Sequence, residues 1–343
     1  MKALVVRLSS IGDVIHTLPA LSALKRNNWD VGWIVEPSAG ALLQGHPFLI
    51  SVASVPPKRA FGISRARATA RKLREEAFDI ALDFQGLWKS AAWARLSGAP
   101  RVLGYARPWR REGLSAILLR ESASLPPDLS HVIDKNLALL RPLGIDAVGS
   151  RHFPLPPTEV QSEVVRLRLA ELSLGPFVIL NPGGGWASKL WPAERYGILA
   201  RGLRERGYAS IVTWGPGEAA LASRAVAASD GTAVRCFPTS LLEFAELARF
   251  ARLVVAADTG PLHLACAVGT PVVGIYGPTD PARNGPFAAE DRVVRRLPLC
   301  SPCHRQRCRI HEGVMSAIAP NEVQRAIDAR LRITRLLEPR DAV

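Results

Sequence analysis

The chain has 343 residues, 48% hydrophobic and 22% charged, a balance that excludes a disordered or fibrous protein and a length that favours two domains over one core. No apolar stretch approaches bilayer-spanning length, and Met1-Lys2 leads into apolar sequence without a basic leader and cleavage site, so a cytoplasmic protein is expected. Lys and Arg outnumber Asp and Glu by 44 to 30, a net charge of +14 that favours an anionic partner.

Short β-branched runs at 3–8, 31–35, 51–55, 79–83 and 101–104 predict strands. Helical patterns at 13–26, 64–76 and 88–97 separate them, and another follows at 131–143. Strands alternating with helices of this length imply a parallel sheet covered on both faces. The proline-rich stretch "RHFPLPPTEV" (151–160) has no periodicity and reads as a connection, dividing the chain into domains 1–155 and 156–343.

The pattern then restarts. Strands are predicted at 177–182, 209–215, 233–236, 252–258 and 271–277, and helices at 193–206, 218–228 and 240–250. A final helix at 321–337 is long enough to return to the first domain. The expected fold class is α/β, with two doubly wound, Rossmann-like domains facing a central cleft.

Ligands of open parallel sheets bind at the carboxyl ends of the strands. Four polar sets follow predicted strand ends: 9–13, 181–189, 214–218 and 258–263. In "VVRLSSIGDVIHTLPAL" (5–21) a turn with a single glycine precedes a helix and puts Asp13 where a phosphate would sit. Either Ser10 and Asp13 form a capping box, or the carboxylate acts on a substrate. In "NPGGGWASKLWP" (181–192) three glycines expose backbone N–H groups, and Lys189 offers a point charge to phosphate oxygens. A loop with a surface lysine is the structural alternative. In "AADTGPLHLA" (256–265) a strand end, a turn and Pro261 at the first helical position expose N–H groups suited to a diphosphate, with Asp258 and His263 near an attached sugar. An N-cap aspartate and a packed histidine would give the same letters. Glu218 in "TWGPGE" could accept ribose hydroxyls or simply open a helix.

Two basic clusters, "KRAFGISRARATARKLR" (58–74) and "RPWRR" (107–111), fit either solvated faces or an anion-facing surface. Five cysteines, three of them within "CSPCHRQRC" (300–308), suit a reducing compartment. Zinc could be assembled from Cys300, Cys303, Cys308 and His311, but a second Cys-x2-Cys pair is missing. No Asp-x-Asp pair follows a strand, so a metal-held diphosphate is not expected, and no cofactor is expected.

The segments "SSIGDVIHTLPAL", "DFQGLWKSA" (83–91), "SKLWP" (188–192), "ADTGPLHLACA" (257–267) and "YGPTDP" (276–281) together resemble the family 9 glycosyltransferases, and among them the type I lipopolysaccharide heptosyltransferases. The resemblance runs from residue 1 to about residue 335; the cysteine cluster departs from the type I pattern. It implies the two-domain GT-B fold and an ADP-heptose donor. It also implies inversion at the anomeric carbon and an anionic acceptor, Kdo-lipid A or the growing inner core, met by peripheral contact with the inner membrane. Carried over by position, it makes Asp13 the base. Ser188 and Lys189 fall on the diphosphate, Glu218 on the ribose, and Asp258, Thr259, Gly260 and His263 on the donor's diphosphate and sugar. Lys58, Arg59 and Arg67 fall on the acceptor.

Other classes fit less well. A nicotinamide-dependent dehydrogenase needs G-x-G-x-x-G after a strand, which "SSIGDV" is not. Nucleic-acid binding suits the charge and eight tryptophans but leaves Asp13 and the Asp258 turn without a role, so no nucleic-acid partner is expected. A family 9 enzyme using another nucleotide sugar or cell-surface acceptor stays open.

Overall fold

The computed structural model describes residues 1–55, 62–298 and 313–337. The chain divides into two compact units, Met1–Pro157 and Thr158–Val343.

In the first unit the strands are β1 (Lys2–Val6), β2 (Asp30–Val35), β3 (Leu49–Ser54), β4 (Ile80–Asp83), β5 (Arg101–Tyr105) and β6 (Glu121–Ala123). Its helices are α1 (Ile11–Ile15), α2 (Leu18–Arg26), α3 (Pro37–Gly40), α4 (Ile63–Glu75), α5 (Trp88–Leu96) and α6 (Val132–Ala138). The strands form one parallel sheet in the order β3-β2-β1-β4-β5-β6. The second unit contains β7 (Phe177–Asn181), β8 (Ala209–Val212), β9 (Ala233–Arg235), β10 (Leu253–Ala257), β11 (Val272–Tyr276) and β12 (Arg292–Arg295). Its helices are α7 (Glu159–Leu172), α8 (Ala193–Glu205), α9 (Ala219–Ala227), α10 (Leu241–Phe250), α11 (Gly260–Ala267), α12 (Pro281–Asn284) and α13 (Pro320–Leu337). Its parallel sheet runs β12-β11-β10-β7-β8-β9, the same winding as the first.

Central strands read as unbroken apolar runs because helices cover both faces of the sheet. Ala3–Val6, all of β10 and all of β11 are buried. Leu4, Val6, Ile34, Phe78 and Trp93 belong to the first core; Val178, Leu180, Trp191, Tyr196 and Val255 belong to the second. Helix α13 adds Val323, Ile327 and Leu331, spaced on one helical face, to the second core. It packs on α8, β11 and β12, with Arg330 Nε 3.0 Å from Asp291 Oδ1. Burying each such aliphatic side chain contributes about 1.5–3 kcal/mol.

The structure departs from the sequence expectation at several places. The helix predicted over 13–26 is two helices, because Pro19 has no N–H to donate to Ile15; the turn at His16-Thr17 is tied by Thr17 Oγ1 donating to Asp13 O at 2.8 Å. The predicted helix at 131–143 stops at Ala138 and finishes as a 3-10 turn at Arg141–Leu143. Edge strands β6 and β12, short and lacking apolar alternation, were not anticipated. Neither was α7, which leaves Val160 and Leu167 exposed and buries only Val165.

Candidate functional site

The order 3-2-1-4-5-6 reverses direction between the first and fourth strands, and a crevice opens at their carboxyl ends. That point lies between β1 and β4 in the first unit and between β7 and β10 in the second. Asp13 sits at the first of these edges, and Ser188, Lys189, Glu218, Asp258, Thr259, Gly260 and His263 gather at the second.

At the first edge, Asp13 occupies the opening turn of α1. Its Oδ2 accepts from Ser10 N at 3.1 Å and Ser10 Oγ at 3.0 Å, and its Oδ1 lies 2.5 Å from Arg7 Nη2. The Arg7 side chain is only 6% exposed and Asp13 30% exposed, so the pair has a buried cation and a carboxylate with an open side. Arg7 Nη1 also donates to Phe84 O, fastening the end of β1 to the end of β4. Asp13 therefore caps its turn and still presents a face to solvent, so its two sequence readings are compatible. Nearby, Lys89 Nζ donates to Glu36 Oε1 at 2.7 Å and Ser9 Oγ at 3.5 Å.

At the second edge, three strand ends meet. Glu218 Oε1 accepts from Gly184 N at 2.8 Å and its Oε2 from Gly215 N at 2.9 Å, joining the loops after β7 and β8. A Cβ on Gly183 would lie 2.0 Å from Glu218 Oε2, so only glycine permits this approach. A Cβ on Gly184 would lie 3.0 Å from Thr259 Cγ2, which places the glycine loop against the loop after β10. Lys189 Nζ donates to Asp258 Oδ2 at 2.6 Å and stands 4.6 Å from the centroid of the Trp186 ring. Asp258 Oδ1 lies 3.0 Å from His263 Nε2 and accepts from Asn284 Nδ2 at 2.7 Å. Burial opposes ionisation of Asp258, but the hydrogen bond from His263 and the charge of Lys189 outweigh it and hold the carboxyl well below the usual carboxylate range.

Four buried polar atoms at this edge, Asn181 Oδ1, Thr259 Oγ1, Thr279 Oγ1 and Asn284 Oδ1, have no hydrogen-bond partner among the described residues. Thr259 caps α11, Gly260 is its first residue, and Pro261 is second rather than first. Ser188 lies beside Lys189 in a 3-10 turn. Among the described residues no group of three His, Cys, Asp or Glu side chains is placed to hold a metal ion.

Lys58, Arg59 and the cysteine cluster at 300–308 lie outside the described residues, whereas Arg67 is exposed on α4. The expectation that "RPWRR" presents all its arginines is corrected at Arg110. That side chain and Asp83 are both fully buried, with Nη2 2.7 Å from Oδ2. Sequence reasoning missed Arg7, Lys89, Thr279 and Asn284. A charge inside the apolar run 3–8 was the signal for Arg7, and "YGPTDP" led up to Asn284.

Residues 66–313 match Glycosyltransferase family 9 (heptosyltransferase), which is well over half of the chain. The chain belongs to this family. It is 31% identical over 320 residues to "Lipopolysaccharide heptosyltransferase 1" of Pseudomonas aeruginosa, covering 90% of this chain and 87% of that one. Two solved structures share the fold: a family 9 glycosyltransferase from Veillonella parvula (TM-score 0.80, 20% identity, 97% of each chain) and the E. coli heptosyltransferase WaaC with ADP (TM-score 0.74, 23% identity, 98% and 100%). The enzyme is thus a glycosyltransferase with a GT-B-like fold. Among the described residues no helix is long and apolar enough to cross a membrane.

Proposed function

We propose that the enzyme transfers heptose from ADP-heptose, with inversion, to the Kdo and inner-core region of lipopolysaccharide. The cluster of Lys189, Asp258, His263, Thr259 and Glu218 around a glycine loop carries this reading. It offers a cation, close backbone approach and hydrogen-bonding side chains at adjoining strand ends, as a sugar diphosphate requires. The P. aeruginosa relative bears the name of a lipopolysaccharide heptosyltransferase, and WaaC was solved with ADP.

In this reading Lys189 and Ser188 hold the diphosphate, Glu218 the ribose, and the turn at Thr259-Gly260 and His263 the diphosphate and sugar. An acceptor hydroxyl oxygen bonds to the anomeric carbon while the bond from that carbon to the diphosphate breaks. The electron pair leaves with ADP, and the hydroxyl proton passes to Asp13. Position supplies most of the gain, because a carboxylate paired with arginine is a weak base until the proton is nearly free. Lys189 balances the charge growing on the departing diphosphate, so no metal is required. In the same reading Lys58, Arg59 and Arg67 are assigned to binding an acceptor anchored in the inner membrane, which makes the enzyme a peripheral visitor to that surface.

Release of ADP from ADP-heptose, compared with GDP and UDP sugars in the presence and absence of EDTA, tests the reading. EDTA-resistant turnover of the ADP sugar alone is expected. Turnover of another nucleotide sugar only, or strict dependence on Mg²⁺, would overturn it.

A further inference from the structure

Apart from the site, the first unit carries an exposed apolar cluster that catalysis does not use. Trp88 is 42% exposed, Leu114 58% and Ile117 74%. Trp88 N donates to Glu112 Oε2 at 2.6 Å, and the 3-10 turn Gly113–Leu118 packs on α5. Residues three apart in a 3-10 helix eclipse, so Leu114 and Ile117 project in one direction.

Two arginines flank this cluster. The stem of Arg107 lies against Gly113, with Arg111 beside Gly86. Arg107 and Arg111 are exposed and make no ion pair among the described residues. The acid within the patch, Glu112, is occupied by the Trp88 N–H. Isolated exposed apolar residues are ordinary, but three large ones beside two guanidinium groups without ion pairs are not. A symmetric dimer through this face would press arginines against arginines, which argues against a second copy as the occupant. An anionic bilayer satisfies both halves of the pattern: acyl chains take the apolar residues and headgroup phosphates take the guanidinium groups.

We propose that this face docks the enzyme on an anionic membrane. Leu114 and Ile117 enter the boundary between headgroups and acyl chains, Trp88 rests at headgroup level, and Arg107 and Arg111 bind headgroup phosphates. The carboxyl edge that carries Asp13 then lies at the membrane surface. The choice of partner rests on the proposed membrane-anchored acceptor, but the docking itself requires neither substrate.

Co-sedimentation of the full chain with vesicles of equal parts phosphatidylglycerol and phosphatidylcholine, against phosphatidylcholine alone, tests this. Wild type is expected to bind the anionic vesicles and not the neutral ones. Leu114→Glu with Ile117→Glu should weaken binding at least ~10-fold, and Arg107→Gln and Arg111→Gln roughly fivefold each. Both glutamates would stand on exposed positions, so melting temperature and turnover of a deacylated, water-soluble acceptor should match wild type. Failure of wild type to bind anionic vesicles, or wild-type binding by the double glutamate variant, overturns the proposal. So does a concentration-dependent dimer that the glutamates abolish. If vesicles bind but no ADP sugar is turned over, the docking stands and the proposed reaction falls.

Discussion

Replacing Asp13 by Asn separates the capping contact of this carboxylate from its proposed role as base. The amide can still accept from Ser10, so the cap itself should survive. What it cannot supply is the counter-charge to Arg7, whose side chain is 6% exposed. Stripping one partner from a buried ion pair costs about 3–5 kcal/mol. Because Asp13 is 30% exposed and water can approach the pair, about 2 kcal/mol is a fairer figure. For a unit of this size that lowers the melting temperature by about 4–8 °C. An argument from capping alone would expect unchanged melting, and the Arg7 contact is the reason it fails. As a base the amide is useless at neutral pH, so turnover should fall roughly 10²–10⁴-fold with ADP affinity unchanged. Combining Asp13→Asn with Arg7→Gln removes the orphaned cation. Melting should recover in the double variant while turnover stays low. Differential scanning calorimetry and initial rates of ADP release decide the matter. Wild-type turnover in the folded single variant would remove Asp13 from the chemistry, and recovered turnover in the double variant would show that the loss came from Arg7.

Three further outcomes are expected. Lys189→Met should weaken ADP binding at least ~10-fold by isothermal titration. Its stability deficit should follow the depressed Asp258 carboxyl, being full above the unfolded value near pH 4 and shrinking as acid protonates the folded group, as urea midpoints across that range would show. Gly183→Ala places a methyl 2.0 Å from Glu218 Oε2 and should displace Glu218, lowering ADP affinity ~10-fold or more; a crystal structure with Glu218 unmoved would refute the steric argument. Arg59→Ala with Arg67→Ala should raise the acceptor KM several-fold at constant ADP affinity, and a fall in ADP affinity instead would contradict the assignment of acceptor binding to the first unit.

How much of this was legible in the sequence depended on where the determining contacts lie. Central strands announced themselves because burial on both faces makes "ALVV", "LVVAA" and "VVGIY" apolar without interruption. Edge strand β12, "RVVR", buries only part of itself and carries no such signal. Site positions following a strand end were legible for the same local reason, since Asp13, Lys189, Glu218 and Asp258 each sit a few residues beyond their strand. Contacts between distant segments were not. Arg7 reaches Phe84, 77 residues away, and Asn284 reaches Asp258 from the next strand's loop. Charge patterns were the least specific. Within five residues Arg110 is sealed against Asp83 while Arg111 is exposed, and nothing in the letters distinguishes them.

The second edge also refines what Asp258 can do for a donor. A carboxylate beside a diphosphate is repulsive unless its charge is already spent, and here it is. Oδ1 is engaged by His263 and Asn284, and Oδ2 by Lys189. Asp258 therefore serves the proposed reaction through those partners instead of touching phosphate itself. Lys189 has three donors and gives one to Asp258 Oδ2 at 2.6 Å, with the backbone oxygen of the same residue at 3.3 Å. The ammonium is thereby oriented without being saturated, and a donor remains for an incoming oxygen. A lysine held this way needs little reorganisation when the leaving group gains charge, which is where electrostatic preorganisation lowers a barrier most.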